Sequence, residues 1–319
     1  MVDAISPIEI SSPSKVYKPV GRCIYCRRRA TKLTKEHIIP FGLAADSLVL
    51  PTASCRKCAE KTRDFETVCL RHMWWPFRTR LGVPTRGKET PDSFLVRKMM
   101  VEQRNADGLI EYQKIAETPV SVNDYPLFYY AFDFPPTGTL VGRPDNEDFT
   151  YYCWVAMDMD DFGKYAQNDR EGFRIGPRNT EHFCKLLAKI AHAYSVAELG
   201  LDTFEPFLTR YIRGSSLHPR AEPQWIGGDH APNCHTPRER LHEIGWEIRT
   251  IGDTSYVTVR IRLFCFIGTP SYRVVTGKLR SAPNKLSFLT QPLYTIDIKS
   301  PFPTLNLSPI TDAIRGTRG

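Results

Sequence analysis

The sequence predicts an α+β protein, in which a small N-terminal module precedes a larger region with antiparallel strands. Two closely spaced cysteine pairs, Cys23/Cys26 and Cys55/Cys58, bracket the module. Further along, residues 180–199 place apolar side chains at helical spacing, and residues 257–263 alternate apolar and polar side chains as a half-buried strand does. Helix and strand signals thus share one chain of 319 residues, which is long enough for two domains.

Composition shifts divide the chain into three parts. Residues 1–20 carry serines and prolines with little apolar periodicity, which predicts a mobile arm. Residues 21–90 form the cysteine-rich module and end in a linker-like stretch. Residues 91–319 form the larger α+β domain, whose role stays open. Its helix at 180–199 has Thr180 as predicted N-cap and Gly200 as its stop, a second helix is predicted at 204–212, and strands are predicted at 257–263 and 272–276.

The cysteine spacing predicts a structural metal site. Each C-x-x-C pair can place two thiolates on one ion, and two pairs complete a tetrahedral zinc site without an open position. The alternative is four buried, reduced cysteines. Nine cysteines without an apolar secretion signal favour a reducing compartment, so we expect a cytoplasmic protein without a transmembrane helix.

Positive charge is concentrated in the first third of the chain. Residues 1–100 contain 19 Lys/Arg and 9 Asp/Glu, a balance of +10, whereas the remaining residues contain 24 and 26, a balance of −2. Such a field attracts polyanions, which favours a nucleic-acid partner, most simply DNA. A solubilising basic surface would carry the same charge.

The loop between the two cysteine pairs holds a second motif. Its 28 residues exceed the 15–20 of a plain zinc ribbon, and its centre reads Leu33-Thr-Lys-Glu-His-Ile-Ile-Pro40. The β-branched residues and the terminal proline predict a short hairpin. Since adjacent strand side chains point to opposite faces, Glu36 and His37 need a bend or bulge to reach one phosphate.

The pattern C-I-Y-C, L-T-K-E-H-I-I-P and C-R-K-C, followed by a helix, resembles HNH endonucleases of the ββα-metal type in their four-cysteine zinc subtype. The resemblance covers residues 21–80. The pieces A-K-I-A-H-A-Y, W-I-G-G and G-T-P-S-Y-R-V-V-T-G are similar to the C-terminal region of one bacterial subgroup. The resemblance implies a metal-dependent endonuclease that hydrolyses phosphodiester bonds in DNA.

The resemblance also implies roles for individual residues. His37 would be the general base that activates water, and Glu36 would bind a catalytic divalent cation such as Mg²⁺. Two family positions depart from the pattern. Ala59 stands where the helix often supplies an Asn ligand, and the Asn between hairpin and helix is absent. Glu66, two helical turns beyond Ala59, is the first substitute ligand, followed by Glu60 and Asp46.

Basic residues near both motifs are candidate phosphate contacts. They are Arg27, Arg28, Arg29, Lys35, Arg78, Arg80 and Arg86. Trp74 and Trp75 interleave with the later arginines and either stack on bases or pack the helix against the second domain. Two other clusters, Asp158/Asp160/Asp161 and Asp229/His230/Cys234/His235/His242, fit turns and loops better than metal sites.

Three functions remain open at this stage. The first is a catalytic HNH endonuclease. The second is a degenerate HNH zinc module that binds nucleic acid without cleaving it, which Ala59 favours. The third is a zinc-stabilised protein-interaction domain, which the charge balance of the first hundred residues disfavours. The sequence does not determine the oligomeric state.

Overall fold

The computed structural model describes residues 8–83, 96–120, 125–144, 150–158, 171–173, 179–214, 224–229, 236–280, 292–302 and 307–315. The strands are β1 Lys15–Val16, β2 Leu33–His37, β3 Leu48–Cys55, β4 Val96–Arg104, β5 Ile110–Pro119, β6 Phe128–Asp133, β7 Thr150–Asp158, β8 Glu171–Phe173, β9 Phe204–Pro206, β10 Ile226–Gly228, β11 Arg240–Ile251, β12 Thr254–Leu263, β13 Ser271–Leu279, β14 Tyr294–Asp297 and β15 Leu307–Arg315. The α-helices are α1 Phe41–Ala44, α2 Arg56–Thr67, α3 Trp75–Arg80, α4 Gly138–Val141, α5 Thr180–Leu199 and α6 Thr209–Ile212.

Four sheets are present in the described part of the chain. Their strand orders are β1-β3-β2, β10-β13-β12-β11-β14 with β9 beside β13, β15-β7-β6, and β5-β4-β8. Every pairing between these strands is antiparallel except that of β1 with β3. Helices and antiparallel sheets in one chain confirm the predicted α+β class.

The N-terminal module contains the hairpin of β2 and β3, with the short helix α1 in the connection, followed by helix α2. β2 and β3 pair from Leu33↔Cys55 to His37↔Val49, with an irregular register between Thr34 and Glu36. Helix α2 starts directly after β3, so the last strand residue and the first helical turn lie beside each other. Glu36 and His37 therefore lie at one end of the hairpin, on β2, and Cys55 lies at the other end, on β3.

Residues 8–20, the described part of the predicted mobile arm, lie against both halves of the protein. The Ile8 amide donates to Gly82 O at 3.0 Å, the Ser11 amide to Asp297 O at 2.8 Å, and the Lys15 amide to Ser47 O at 2.8 Å. The sequence did not predict this path, because main-chain hydrogen bonds to distant strands need no apolar periodicity in the arm.

The core runs without a break from the module into the C-terminal region. Trp74 is fully buried, stacks on Tyr129 with ring centroids 5.6 Å apart, and donates its indole N–H to Tyr130 O at 3.1 Å. Phe77 contacts Tyr129 and Phe264. The sequence left two roles open for Trp74, stacking on bases or packing against the second domain. The structure shows Trp74 packed against the second domain.

The helix expected after the second cysteine pair is divided in three. Helix α2 passes into a π-helix at Val68–Met73, and α3 begins at Trp75 with Pro76 in its first turn. Pro76 begins this helix and does not end the previous one. A backbone N–H in the first helical turn has no acceptor within the helix, so proline, which lacks this group, loses no hydrogen bond there.

The C-terminal region contains the helix and strands predicted at 180–199, 257–263 and 272–276. The N-cap of α5 is Asn179, whose side chain accepts the His182 amide, and not Thr180. The helix predicted at 204–212 is wrong, because Phe204–Pro206 is an edge strand and only Thr209–Ile212 is helical. Pro206 suits an edge strand, since it lacks the amide that a helix interior would need. Among the described helices, none combines the length and apolarity needed to cross a bilayer.

His242 makes the fold sensitive to acid. Its Nδ1 accepts the Phe264 amide at 3.0 Å, so its Nε2 donates to Leu43 O at 3.1 Å, an arrangement that fits only the neutral ring. Burial lowers the pKa of His242 to about 4. The unfolded chain accepts a proton near pH 6.5 and the folded chain does not, so stability falls as pH drops from about 6.5 towards 4.

We expect His242→Gln to remove this pH dependence. Between pH 7.5 and pH 5, urea unfolding should show the wild-type protein losing about 2 kcal/mol more stability than the variant. Any acid sensitivity of the cysteine cluster is common to both proteins and cancels in the difference. An equal loss of stability in the two proteins would contradict the assignment.

Candidate functional site

The four cysteines of the two C-x-x-C pairs converge. Their Sγ atoms all lie within 4.8 Å of one another, and those of Cys26 and Cys55 are 3.7 Å apart. Zinc–sulfur bonds of 2.3 Å in a tetrahedron place the sulfurs about 3.8 Å from each other. The cluster is therefore compatible with a zinc ion, and it is the one group of three or more potential ligands found among the described residues.

Local backbone geometry builds this cluster. The Cys23 amide donates to Arg28 O at 3.0 Å and the Arg27 amide to Cys23 O at 2.8 Å, with Arg27 in the left-handed region at φ 60°. Cys55 ends β3 and Cys58 lies in the first turn of α2. The pKa of Cys58 is raised by its hydrogen bond to Cys23 and by burial. Four thiols this close need a cation to ionise together.

A second charged cluster lies in the protein interior. The Lys189 Nζ atom lies 2.8 Å from Glu36 Oε1 and 3.0 Å from Glu66 Oε1, and it also donates to the main-chain oxygen of His37. The side chain of Lys189 is 1% exposed, that of Glu36 7% and that of Glu66 22%. We call this group the buried triad.

The ammonium of the triad is charged. Burial acts to lower the pKa of Lys189, but the charges of Glu36 and Glu66 outweigh it and raise the pKa. The structure therefore brings together the strand carboxylate and the helix carboxylate that the sequence assigned to a divalent cation. The ammonium of Lys189 occupies the position between these two carboxylates where a divalent cation was expected.

Helix α5 supplies the lysine and also contacts the cysteine loop. Three residues beyond Lys189, on the same face, His192 bonds Ile24 O through Nε2 at 2.9 Å. Ile24 lies between the first two cysteines of the cluster. One helix of the C-terminal region therefore connects the buried triad and the four-thiol cluster.

The His37 ring contacts Asp46 and Phe41. Its Nε2 lies 2.9 Å from Asp46 Oδ1, its ring packs edge-on against Phe41, and the residue is 8% exposed. Asp46 also binds Lys35, and these two hydrogen bonds lower the pKa of Asp46. The irregular register lies between Thr34 and Glu36, so the side chains of Glu36 and His37 still point to opposite faces of the strand. Glu36 contacts Lys189, whereas His37 contacts Asp46.

The other substitute ligands do not join the triad. Glu60 pairs with Arg56 one turn earlier on α2, at 3.0 Å on the surface. Asp46, which is half exposed, holds His37 and Lys35. Ala59 is partly buried and offers no donor.

The predicted phosphate contacts separate into two groups. Arg28 and Arg29 are exposed, Lys35 is exposed but paired with Asp46, and Arg27 donates to Leu201 O. The prediction that Arg78 contacts phosphate is wrong. The residue is 3% exposed and its guanidinium donates to Gly42 O and Leu70 O, so no phosphate can reach it.

Two further predicted contacts lie near Arg78 in the sequence. Arg80 is half-buried and donates to Tyr125 O at 2.9 Å, which directs it into the protein interior. Burial lowers the pKa of Arg78 to about 10, as expected for a guanidinium within the core. Arg86 lies outside the described residues.

The described members of the two other acidic and histidine clusters contact neighbouring groups of the fold. Asp229 pairs with Arg260 and Arg273 on the large sheet, and His242 is held by main-chain groups. Asp158 ends β7. The other members, Asp160, Asp161, His230, Cys234 and His235, lie outside the described residues.

Sequence reasoning missed Lys189. The available signal was a charged residue within the apolar stretch of helix 180–199, between Leu187 and Ile190. A buried lysine requires an acidic partner, but the sequence does not say which one. Comparisons with family models, with curated proteins and with solved structures found no match for this chain.

Proposed function

We propose that the chain is a zinc-stapled nucleic-acid-binding protein of HNH type whose ββα module does not cleave the bound strand. Zinc is the metal proposed for the four thiols, because a closed set of four sulfur ligands suits it best and leaves no catalytic position. A reducing compartment such as the cytoplasm suits eight described cysteines that form no disulfide.

The observation that carries the proposal is Lys189 in the buried triad. A hydrolytic divalent cation needs the carboxylates of Glu36 and Glu66 and a path for the phosphate. Here both carboxylates bind an ammonium that is 1% exposed. The +10 charge balance of residues 1–100 supports binding to a polyanion that is independent of this interior site.

A second candidate is the metal-dependent endonuclease. It is favoured by the convergence of Glu36 and Glu66 on one cationic position, and by the Asp46 carboxylate that can orient His37 as a base. In that case Mg²⁺ would have to displace Lys189, and water would have to reach His37.

Plasmid nicking separates the two candidates. We expect the wild-type protein, with Mg²⁺ or Mn²⁺, to nick supercoiled DNA no faster than His37→Ala, while both retain salt-sensitive binding to the plasmid. Nicking by the wild-type protein that His37→Ala abolishes, with binding unchanged, would overturn the proposal and establish the endonuclease. Absence of binding by both proteins would reject both candidates.

A further inference from the structure

Five exposed cations lie close in sequence to the four cysteines and have no ion-pair partner in the described part of the chain. Arg28, Arg29, Lys32, Lys57 and Lys61 are all exposed, and none of them forms an ion pair with a described residue. This contrasts with other cations of the module. Arg22 and Arg27 pair with Asp202, Lys35 pairs with Asp46, and Arg56 pairs with Glu60.

Their chain positions place the five cations at the cysteine end of the module. Arg28 and Arg29 follow Cys26, and Lys57 adjoins Cys58, whose sulfurs belong to the same cluster. Lys32 precedes Leu33, the strand partner of Cys55, at the same end of the hairpin. Lys61 is one helical turn beyond Lys57, on the same side of α2. We call these five residues the knuckle surface.

We infer that the knuckle surface binds the phosphate backbone of duplex nucleic acid without reading its bases. The inference rests on the proposed function and names the partner of the module. Uncompensated Lys and Arg side chains on a folded support bind phosphates and release their counterions. The start of the 12-residue helix α2 adds positive potential beside Lys57.

The chemistry of the surface selects a duplex over a single strand. Sequence-independent proteins for single strands combine positive charge with aromatic rings on which bases stack. Residues 28–32 and 57–61 contain no aromatic residue. Among the large rings of the module, Tyr25, Trp74 and Phe77 are each at most 2% exposed. Trp75 is partly buried and packs against the core. A rigid array of phosphates therefore suits the surface better than unstacked bases.

Fluorescence anisotropy of the full, zinc-loaded chain tests this inference. The probes are a labelled DNA duplex and one of its strands, titrated over a range of salt concentrations. Five phosphate contacts predict a slope of log K against log salt of about −4.5 for the duplex. Arg28→Gln with Arg29→Gln should weaken duplex binding roughly tenfold at moderate salt and reduce the slope by about two.

The matched control is Arg104→Gln with Arg210→Gln. It removes the same charge from exposed positions in the C-terminal region, and it should leave affinity and slope unchanged. Equal effects of the two double variants, or tighter binding of the single strand than of the duplex, would overturn the inference while nucleic-acid binding stands. No binding of either probe by the wild-type protein would overturn the proposed function as well.

Discussion

Lys189→Met should destabilise the protein by about 3–5 kcal/mol, which is the usual consequence of removing one partner from a buried ion pair. Methionine approximates the length and volume of the lysine stem, so little packing is lost. The carboxylates of Glu36 and Glu66 would remain in the interior without their shared counterion. Urea unfolding of the zinc-saturated chain measures the change in the free energy of unfolding.

The triple variant Lys189→Met, Glu36→Gln, Glu66→Gln is the control for this prediction. It keeps the shapes of all three side chains and removes their charges, so it should recover most of the lost stability. A Lys189→Met protein with the wild-type urea midpoint would contradict the ionic role of the triad. The charge of Lys189 would then be unnecessary in the folded protein.

Divalent cations extend the same experiment to function. If Mn²⁺ restores the stability of Lys189→Met but not of the triple variant, the two carboxylates bind a metal once the ammonium is gone. Lys189 would then be the feature that keeps a metal from these two carboxylates. If Mn²⁺ has no effect, the acid pair serves only to anchor helix α5 to the hairpin.

Local spacing was sufficient to predict part of the candidate site. Two C-x-x-C pairs predicted a four-thiol cluster, and the structure places the four sulfurs within 4.8 Å of one another. Helical periodicity ranked Glu66 first among the substitute ligands, and Glu66 indeed shares a cation with Glu36. Both predictions concern residues within one short stretch of the chain, residues 23–66.

Contacts between distant segments could not be predicted in this way. Lys189 is 152 residues from His37, whose main-chain oxygen it binds, and no local pattern links the two. Arg78 and Trp74 show the same limitation. Rings interleaved with guanidinium groups fit both a nucleic-acid surface and a core, and tertiary packing decides between them by burying both side chains.

Cys58→Ala should have the largest effect on the module. Structural zinc sites contribute about 10–16 kcal/mol of apparent binding energy in zinc-finger peptides, so the loss of one ligand removes a main source of stability. With zinc in the cluster, as we propose, the wild-type protein should contain the metal and the variant should not, measured by elemental analysis. The variant should also unfold at a markedly lower temperature. Cys265→Ala removes an equally buried thiol outside the cluster and should keep both the zinc and most of the stability.

The contacts of α5 predict which residues lose protection from hydrogen exchange in Cys58→Ala. His192 bonds Ile24 O within the cysteine loop, and Lys189 bonds the end of β2, so loss of zinc should loosen the helix at these two residues. Hydrogen exchange should therefore accelerate in residues 21–67 and around 189–192 of Cys58→Ala, but not in the strand pair β4/β5, which belongs to a separate sheet. Unchanged zinc content and exchange in Cys58→Ala would mean that the clustered thiols are core residues, and the knuckle surface would then lack the metal that we expect to hold it in shape.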